Sequence, residues 1–583
     1  MSREAEGGVA STLRWSRGAE LDEATRERLL GRGAPFETAF EDVLGVRQEV
    51  FVRRPRSLPE MLESTAQAHP DRVYLAFPER DLTYASVRDV VCRLAGLLAV
   101  RYGISKGDRV AMVGANALGY ALAYWATLEL GAIVAGLNGW WSAPELRYGI
   151  ELSAPKLVLG DRPRLDRLRE AAPPGGREEV PVVTFDELLV ELSADGPEPP
   201  DVLIDEDDPA IILFTSGTTG RPMGATLSHR NLLHFGQTSL LRIAIGAALS
   251  PAGAGPSADI QPSSLCVSPF FHVSGMVALL GQPWSGAKVV FPRPGRWSEE
   301  VHLRLTEEHR LTSWSGVPTQ FWRILQYPDL DRFDLSSLRS VGGGGATFQP
   351  ELIRQLSERF PGVSIGVGYG MSESTGMGLG TGGPLLAAFP NSVGVPNPTS
   401  EVEIRRPDGT KSPDGEVGEI CLRHASIFLG YWNDEAATKE ALDGDRWYRS
   451  GDYGRIVDGL VYLESRLRDL IIRGGENIYP IEIENRLVEH PDIDDAAAIG
   501  VDHPTLGQEV LAVVVVRDGA SLSSSDVQDW VRSGLASFKV PAHVAFVPDL
   551  PYTESGKLQK RLLEDRADEL LAGIELELDG SAE

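Results

Sequence analysis

Between Leu82 and Gly370 the chain alternates two hydrophobic patterns. Short, largely apolar runs ("RVAMVG", "AIVAGL", "AIILF", "SLCVSPF", "KVVFP", "SLRSVGG" and "VSIGVGYG") are separated by longer amphipathic stretches such as "HRNLLHFGQTSLLRIAI". A strand that is apolar on both faces must be covered on both faces, which is the pattern of a parallel sheet between helices. The prediction is a large α/β domain with two parallel-type sheets and flanking helices. Ala117 to Trp141, "ALGYALAYWATLELGAIVAGLNGWW", is the most apolar stretch and is long enough to raise a membrane span. Glu129 at its centre and its several glycines predict a buried helix followed by a buried strand instead.

The pattern changes near Pro390. "SEVEIRRPDGTKSPDGEVGEICLR" alternates and carries Asp408–Gly409 and Asp414–Gly415, and "GRIVDGLVYLESRL" carries Asp458–Gly459. Asp-Gly between alternating runs signals antiparallel hairpins, so a small β-barrel-like subdomain is expected. Beyond Asp469 the elements become short and mixed: a helix "IEIENRLVEH", a strand "LAVVVVRDG", a helix "SSDVQDWVRSGLA" and a basic helix after Gly556. These predict a small α+β C-terminal domain. The expected divisions are an N-terminal extension over 1–56, the large domain over 57–467, the C-terminal domain over 468–567 and an acidic tail over 568–583.

Composition narrows the partners. The formal net charge of −27 over 583 residues argues against nucleic acid and anionic membrane, which attract basic patches. A nucleotide site in such a chain has to build its own local positive field. Cys92, Cys266 and Cys421 are far apart, form no metal or redox spacing, and read as buried thiols of a reducing compartment. The first thirty residues are polar and lack an apolar signal core, so a cytoplasmic protein without an integral membrane segment is expected, monomer or homodimer.

Candidate chemistry lies at the ends of the apolar runs. "TSGTTGRPMGAT" (215–226) follows "AIILF" directly, and ligands of open α/β sheets sit beyond the carboxyl ends of strands. Gly217, Gly220 and Gly224 allow close backbone approach to an anion, and Ser216, Thr218 and Thr219 add hydroxyl donors. The loop lacks the lysine of the G-x-x-x-x-G-K-[ST] template. "GYGMSEST" (368–375) places Glu373 between two serines, a setting that suits Mg²⁺ bridging phosphates. "YRSGDYGR" (448–455) offers Asp452 to a ribose diol, "GGGGA" (342–346) a flat surface to a planar base, and "TESGK" (553–557) a single lysine.

This ordered series resembles the adenylate-forming superfamily of acyl- and aryl-CoA ligases, firefly-type luciferases and peptide-synthetase adenylation domains, from about Ser57 to Leu563. "NGWWSAPELRYGIE" and "SVGVPNPTSEVEI" are most similar to bacterial acyl-CoA synthetases of fatty and aryl acids. The resemblance implies ATP and Mg²⁺ as reactants with a small carboxylic acid, giving an acyl-adenylate and pyrophosphate, then displacement of AMP by CoA. It implies the β,γ-phosphate loop at Thr215, Ser216, Gly217, Thr218, Thr219 and Gly220. It implies adenine contacts at Gly344, Gly345, Ala346, Tyr369 and Gly370, a hydroxyl near the α-phosphate at Ser372, the Mg²⁺ carboxylate at Glu373, and ribose ligands at Asp452 and Arg466. By the same resemblance Lys557 is the catalytic lysine, the small C-terminal domain is mobile with Arg468 and Asp469 as its hinge, Gly474 and Gly475 enter for thioester formation, and Glu484 is structural. His272 is expected to gate the acyl pocket, with Phe271, Val273, Trp314, Gly343 and Met371 lining it.

Two other readings stand beside this one. In the first, an adenylating enzyme passes its product to a carrier protein or another nucleophile in place of CoA; no G-x-D-S-L carrier motif is present, so the chain does not load itself. A non-catalytic nucleotide-binding relative rests only on Met223, which stands where the phosphate loop usually has lysine. Ser465 also replaces a usual glycine, and Arg468 a common lysine. Loss of a charge-assisted bond to phosphate, worth about 1.5–3 kcal/mol, weakens nucleotide handling on the order of tenfold to a hundredfold without removing the reaction. Met223→Lys is therefore expected to change the KM for ATP more than kcat, and Lys557→Ala to stop adenylation. Pyrophosphate exchange measures both, and near-normal exchange in Lys557→Ala would overturn the assignment of the lysine.

Overall fold

The computed structural model describes residues 23–170, 180–192, 196–216, 222–249, 260–344, 348–466, 469, 471–473, 476–503, 506–535, 537–553 and 558–580, with backbone alone at 216, 249, 465–466, 476–477 and 575–580. Among these residues seven strands form a first sheet in the order Gly430–Tyr431, Pro222–Ser228, Pro209–Ser216, Ile133–Gly136, Arg109–Val113, Leu157–Gly160, Val182–Thr184. The five strands from Pro209–Ser216 to Val182–Thr184 run parallel. A second sheet of nine has Val73–Phe77, Lys288–Val290, Ser263–Leu265, Ser313–Gly316, Ser340–Gly344 and Ser364–Tyr369 parallel at its centre. Antiparallel strands close its edges.

The apolar stretch at 117–141 folds as the pattern predicts. Helix Leu118–Glu129 is buried from Gly119 to Leu128, and strand Ile133–Gly136 is buried at every position. The helix lies between the two sheets in the largest core cluster, where Trp125 donates to the hydroxyl of Tyr74 at 3.0 Å. Glu129, at its end, is met by Arg88 at 2.9 Å, which is why a carboxylate is tolerated there. None of the described helices is long and apolar enough to cross a membrane.

Strands Glu401–Arg405, Gly418–Arg423, Tyr448–Val457 and Leu460–Arg466 form an antiparallel third sheet. Its last hairpin turns at Asp458 and Gly459, with φ of 51° and 81°. Two positive φ values make the turn that matches strand twist, so Asp-Gly is required there. The C-terminal unit is α+β. Strands Ile493–His503 and Gly507–Val516 carry helices Pro480–Val488 and Ser524–Gly534 on one core. The stretch read as an acidic tail continues as helix Ala567–Gly580, whose Ala567, Leu570, Leu571 and Ile574 pack on the other face of the same sheet.

One expectation is corrected. Residues 215–226 were read as a loop. Instead strand Pro209–Ser216 takes in Thr215 and Ser216, and Pro222–Ser228 is a strand paired antiparallel beside it before helix His229–Leu249 begins. Glycine and threonine masked the strand in the sequence. Its pairing on both sides, to Pro209–Ser216 and to Gly430–Tyr431, comes from residues distant in the chain.

His229, fully buried at the start of that helix, joins it to the N-terminal part of the domain. Its Nδ1 accepts the backbone N–H of Leu58 at 3.2 Å, at the exposed-donor end of helix Leu58–Ala68. Burial lowers the pKa of His229 from 6.5 to about 4, so the folded protein holds it neutral while the unfolded chain protonates near its ordinary value. Stability contributed by this residue is complete above pH 6.5 and is lost as pH falls toward 4, by about 3 kcal/mol. Denaturant midpoints measured across this window should fall with pH, and His229→Asn should flatten the slope; an unchanged slope would show that another group carries it.

Candidate functional site

Three sheets converge on Glu373. It sits in a single 3₁₀ turn, Ser372–Ser374, directly after strand Ser364–Tyr369 of the second sheet, and is 6% exposed. Thr215, from the first sheet, donates its hydroxyl to Glu373 Oε1 at 3.3 Å. Tyr431, at the outer edge of the same sheet, donates to the same oxygen at 3.0 Å. The carbonyl of Glu373 accepts the N–H of Phe428 at 2.8 Å. A buried carboxylate is stable when donors are aimed at it. Burial, then the Glu373 charge, pushes the Tyr431 phenol up, and the phenol of Tyr448 behind it is raised for the same reasons. Both phenols therefore stay protonated as donors.

A second pair lies beside this one. Tyr369 donates its hydroxyl to Asp452 Oδ2 at 2.8 Å, and both are buried. Asp452 follows Gly451, whose φ of +71° turns the strand, and its N–H is held by Ser450 Oγ at 3.1 Å. Across the hairpin Asp452 is in register with Arg466, the two residues expected to hold a ribose. Gly344 and Gly370 are explained by packing alone. A Cβ at Gly344 would lie 2.5 Å from the carbonyl oxygen of Gly368, and one at Gly370 2.5 Å from the N–H nitrogen of Met377.

His272 caps helix Val273–Leu280 and tilts against Phe271 at 4.8 Å and Trp140 at 5.5 Å between ring centroids. Phe271 is buried, and Val273 and Met371 are partly open. Two expected pocket residues lie elsewhere. Trp314 is 2% exposed, donates to Thr306 Oγ1 at 2.9 Å and packs in the second core with Phe360 and His302. Gly343 faces that core too, its Cβ position 3.2 Å from Phe348. The reason is strand alternation: 314, 341 and 343 share the helix-covered face of the second sheet, and the neighbouring positions share the other. Glu484 accepts the N–H of Ala498 at 2.9 Å and pairs with Lys560 at 2.5 Å, an internal tie of the C-terminal unit.

Gly217, Thr218, Thr219, Gly220, Gly345, Ala346, Arg468, Gly474, Gly475 and Lys557 lie outside the described residues, as do the side chains of Ser216 and Arg466. Asp469 lies just before strand Ile471–Arg473. Sequence reasoning missed Tyr431, Tyr448 and Trp140. The phenols are separated from Glu373 by about sixty or more positions and carry no motif of their own; contact across sheets reveals them.

The residues present fit Mg-ATP. Among the described residues no group of three or more His, Cys, Asp or Glu is placed to hold a metal by itself. A lone carboxylate suits Mg²⁺, which takes one or two protein oxygens and completes its shell with phosphates and water.

The AMP-binding enzyme family profile matches residues 62–432, and the profile of the AMP-binding enzyme C-terminal domain matches residues 482–557. A feruloyl-CoA synthase of Amycolatopsis is 35% identical over 487 residues, 82% of this chain and 92% of its own. ATP-bound MatB from Rhodopseudomonas palustris superposes with a TM-score of 0.75 at 29% identity, covering 87% of this chain and 98% of its own. The o-succinylbenzoate CoA synthetase of Bacillus subtilis, solved with its acyl-adenylate intermediate, superposes at 0.74 with 26% identity, covering 88% and 99%.

Removing the Tyr431 hydroxyl takes a charge-assisted bond, about 1.5–3 kcal/mol, from Glu373. Tyr431→Phe is expected to lower kcat/KM for Mg-ATP on the order of tenfold or more and to raise the Mg²⁺ needed for half-maximal rate. Initial rates over a Mg²⁺ series measure this, and an unchanged Mg²⁺ dependence would remove Tyr431 from the site.

Proposed function

This chain belongs to the AMP-binding enzyme family, and from that premise we propose that it is an acid-thiol ligase, joining a carboxylic acid to coenzyme A with conversion of ATP to AMP and pyrophosphate. The observation that carries this reading is the convergence of Glu373, with its neutral donors, and the Tyr369–Asp452 pair at the meeting of the sheets. Feruloyl-CoA synthase and o-succinylbenzoate CoA synthetase, both similar along nearly their whole length, perform acid-to-CoA joining by name.

Each residue has a definable task. Asp452 accepts hydrogen bonds from the ribose hydroxyls, held in place by Tyr369 and Ser450. Glu373, with the hydroxyls of Thr215 and Tyr431 aimed at its Oε1, would hold the divalent cation through its carboxylate. Mg²⁺ bound there offsets charge on the phosphates. The acid attacks the α-phosphate, the α,β-anhydride bond breaks, and the electron pair leaves with pyrophosphate. Two anions meet in that step, so positive charge aimed at the transferring group is required. Lys557 is assigned that role, carried on the C-terminal unit. In the second step the CoA thiolate attacks the acyl carbonyl and AMP leaves. His272, Phe271 and Trp140 form the aromatic wall beside the acyl group.

An acid panel of fatty, aryl and amino acids tests the reading, with CoA, with candidate carrier proteins and with no acceptor. AMP is expected to accumulate in turnover only when an acid and CoA are both present, with an acyl-CoA of matching mass by chromatography. Turnover with a carrier protein or an amine, and none with CoA, would replace the acceptor. ATP binding with no AMP release from any acid would leave a nucleotide-binding protein.

A further inference from the structure

The second sheet carries an uninterrupted block of glycine on one face. Gly342, Gly366 and Gly382 are in register across three adjacent strands, and Gly344, Gly368 and Gly380 form the next row. The opposite face holds Val341, Ile365 and Val367 in the second core, so these six positions all turn toward the helices of the first sheet. The floor is open in one row. Among the described residues no side chain stands within 4 Å of a Cβ built on Gly366 or Gly382. In the other row Met377 Sδ lies 3.7 Å from the Gly368 Cβ position, and the guanidinium of Arg242 lies directly on Gly380, where any Cβ would overlap it. Beside it, Val273 of helix Val273–Leu280, next to His272, reaches 3.2 Å from the Gly376 Cβ position. The glycine face ends at Gly380, where Arg242 covers it.

Arg242 is unusual in its surroundings. Its Nη1 bonds Asn397 Oδ1 at 3.1 Å and touches Met377 Sδ at 3.8 Å. Among the described residues no carboxylate forms an ion pair with it, whereas the arginines Arg54, Arg88 and Arg230 nearby in the domain each meet one or more. Burial lowers its pKa to about 10, and it remains charged at neutral pH. It is nevertheless partly open to solvent. One turn earlier on the same helix face, Thr238 is 4% exposed and its hydroxyl has no hydrogen-bond partner among the described residues. A buried donor and a half-buried cation without a carboxylate prepare this end of the glycine face for an anion.

We propose that Arg242 selects the acid, pairing its guanidinium with a second carboxylate at the distal end of a dicarboxylic substrate whose other carboxylate is adenylated. The proposal rests on the ligase reading above and names the substrate class for that site. A planar guanidinium binds carboxylate through two parallel bonds, a geometry lysine does not reproduce. Asn397 and Met377 hold the fork on Gly380, and the glycine floor leaves room for a flat or extended linker.

Matched acids test it: octanoic against octanedioic acid, and 4-methylcinnamic against 4-carboxycinnamic acid, read by pyrophosphate release. Wild type is expected to favour each diacid by at least about tenfold in kcat/KM. Arg242→Met should shift the diacid-to-monoacid ratio toward the monoacid by tenfold to a hundredfold, and Arg242→Lys should recover only part of it. The wild-type ratio needs no variant, so an unfolded Arg242→Met does not block the test. A wild type that prefers the monoacids, or a ratio that Arg242→Met leaves unmoved, overturns the proposal while the ligase reading stands. Pyrophosphate release with no acid at all overturns both.

Discussion

The structure depends on keeping one carboxylate charged in a place where little water reaches it. Glu373 is buried, and its Oε1 is held by a hydroxyl from one sheet and a phenol from the edge strand, while its own backbone pairs with Phe428. An unsatisfied buried carboxylate is destabilising by several kcal/mol, so the two large sheets and the segment leading into the third have to meet at this point. Sheet order follows from that requirement. Strand Pro222–Ser228 is inserted between Pro209–Ser216 and Gly430–Tyr431, and this insertion sets Thr215 and Tyr431 on either side of the same oxygen. The site is thus a consequence of how the sheets are joined, and the same contacts that define it also hold the large domain together.

The second sheet shows how alternation divides labour between its faces. One face is filled with Trp314, Val341, Phe348 and Ile365 and closes against its helices. The other is stripped to glycine over three strands. Glycine within strands weakens a sheet, and its presence usually marks a place where something must approach the backbone. At Gly342 and Gly344 that neighbour is the next strand's own carbonyl, so the close approach is internal; at Gly380 it is an arginine; at Gly366 and Gly382 the space stays open. Composition alone treats all of these as one Gly-rich signal. The structure separates them into packing, cover and cleft.

Much of the fold was legible because burial leaves a local trace. Fully apolar runs gave the parallel strands, Glu129 argued the 117–141 stretch out of a membrane, and the Asp-Gly pairs located hairpins that the positive φ at Asp458 and Gly459 require. Glu373 was placed after an apolar strand, where the structure has it, whereas Asp452 lies inside strand Tyr448–Val457, beside the bend at Gly451. Three things were not legible. Strand Pro222–Ser228 has small residues with no alternation, and only its partners make it a strand. Trp314 was expected in the pocket by the family resemblance alone; which face it takes depends on register, and a one-residue phase decides it. Tyr431 acts across roughly sixty residues of chain, a distance over which sequence pattern carries no information about contact.

Met223 becomes intelligible from its pairing. It lies directly opposite Thr215 in the hairpin, and cross-strand partners present their side chains on the same face. Thr215 is the residue whose hydroxyl meets Glu373. A lysine at position 223 would therefore stand one side chain from that carboxylate, and attraction between the two would draw its ammonium toward Glu373 as well as toward any phosphate. With methionine there, the described donors to Oε1 are a hydroxyl and a phenol, both neutral. Methionine at 223 therefore adds no charge of its own beside the Thr215–Glu373 bond.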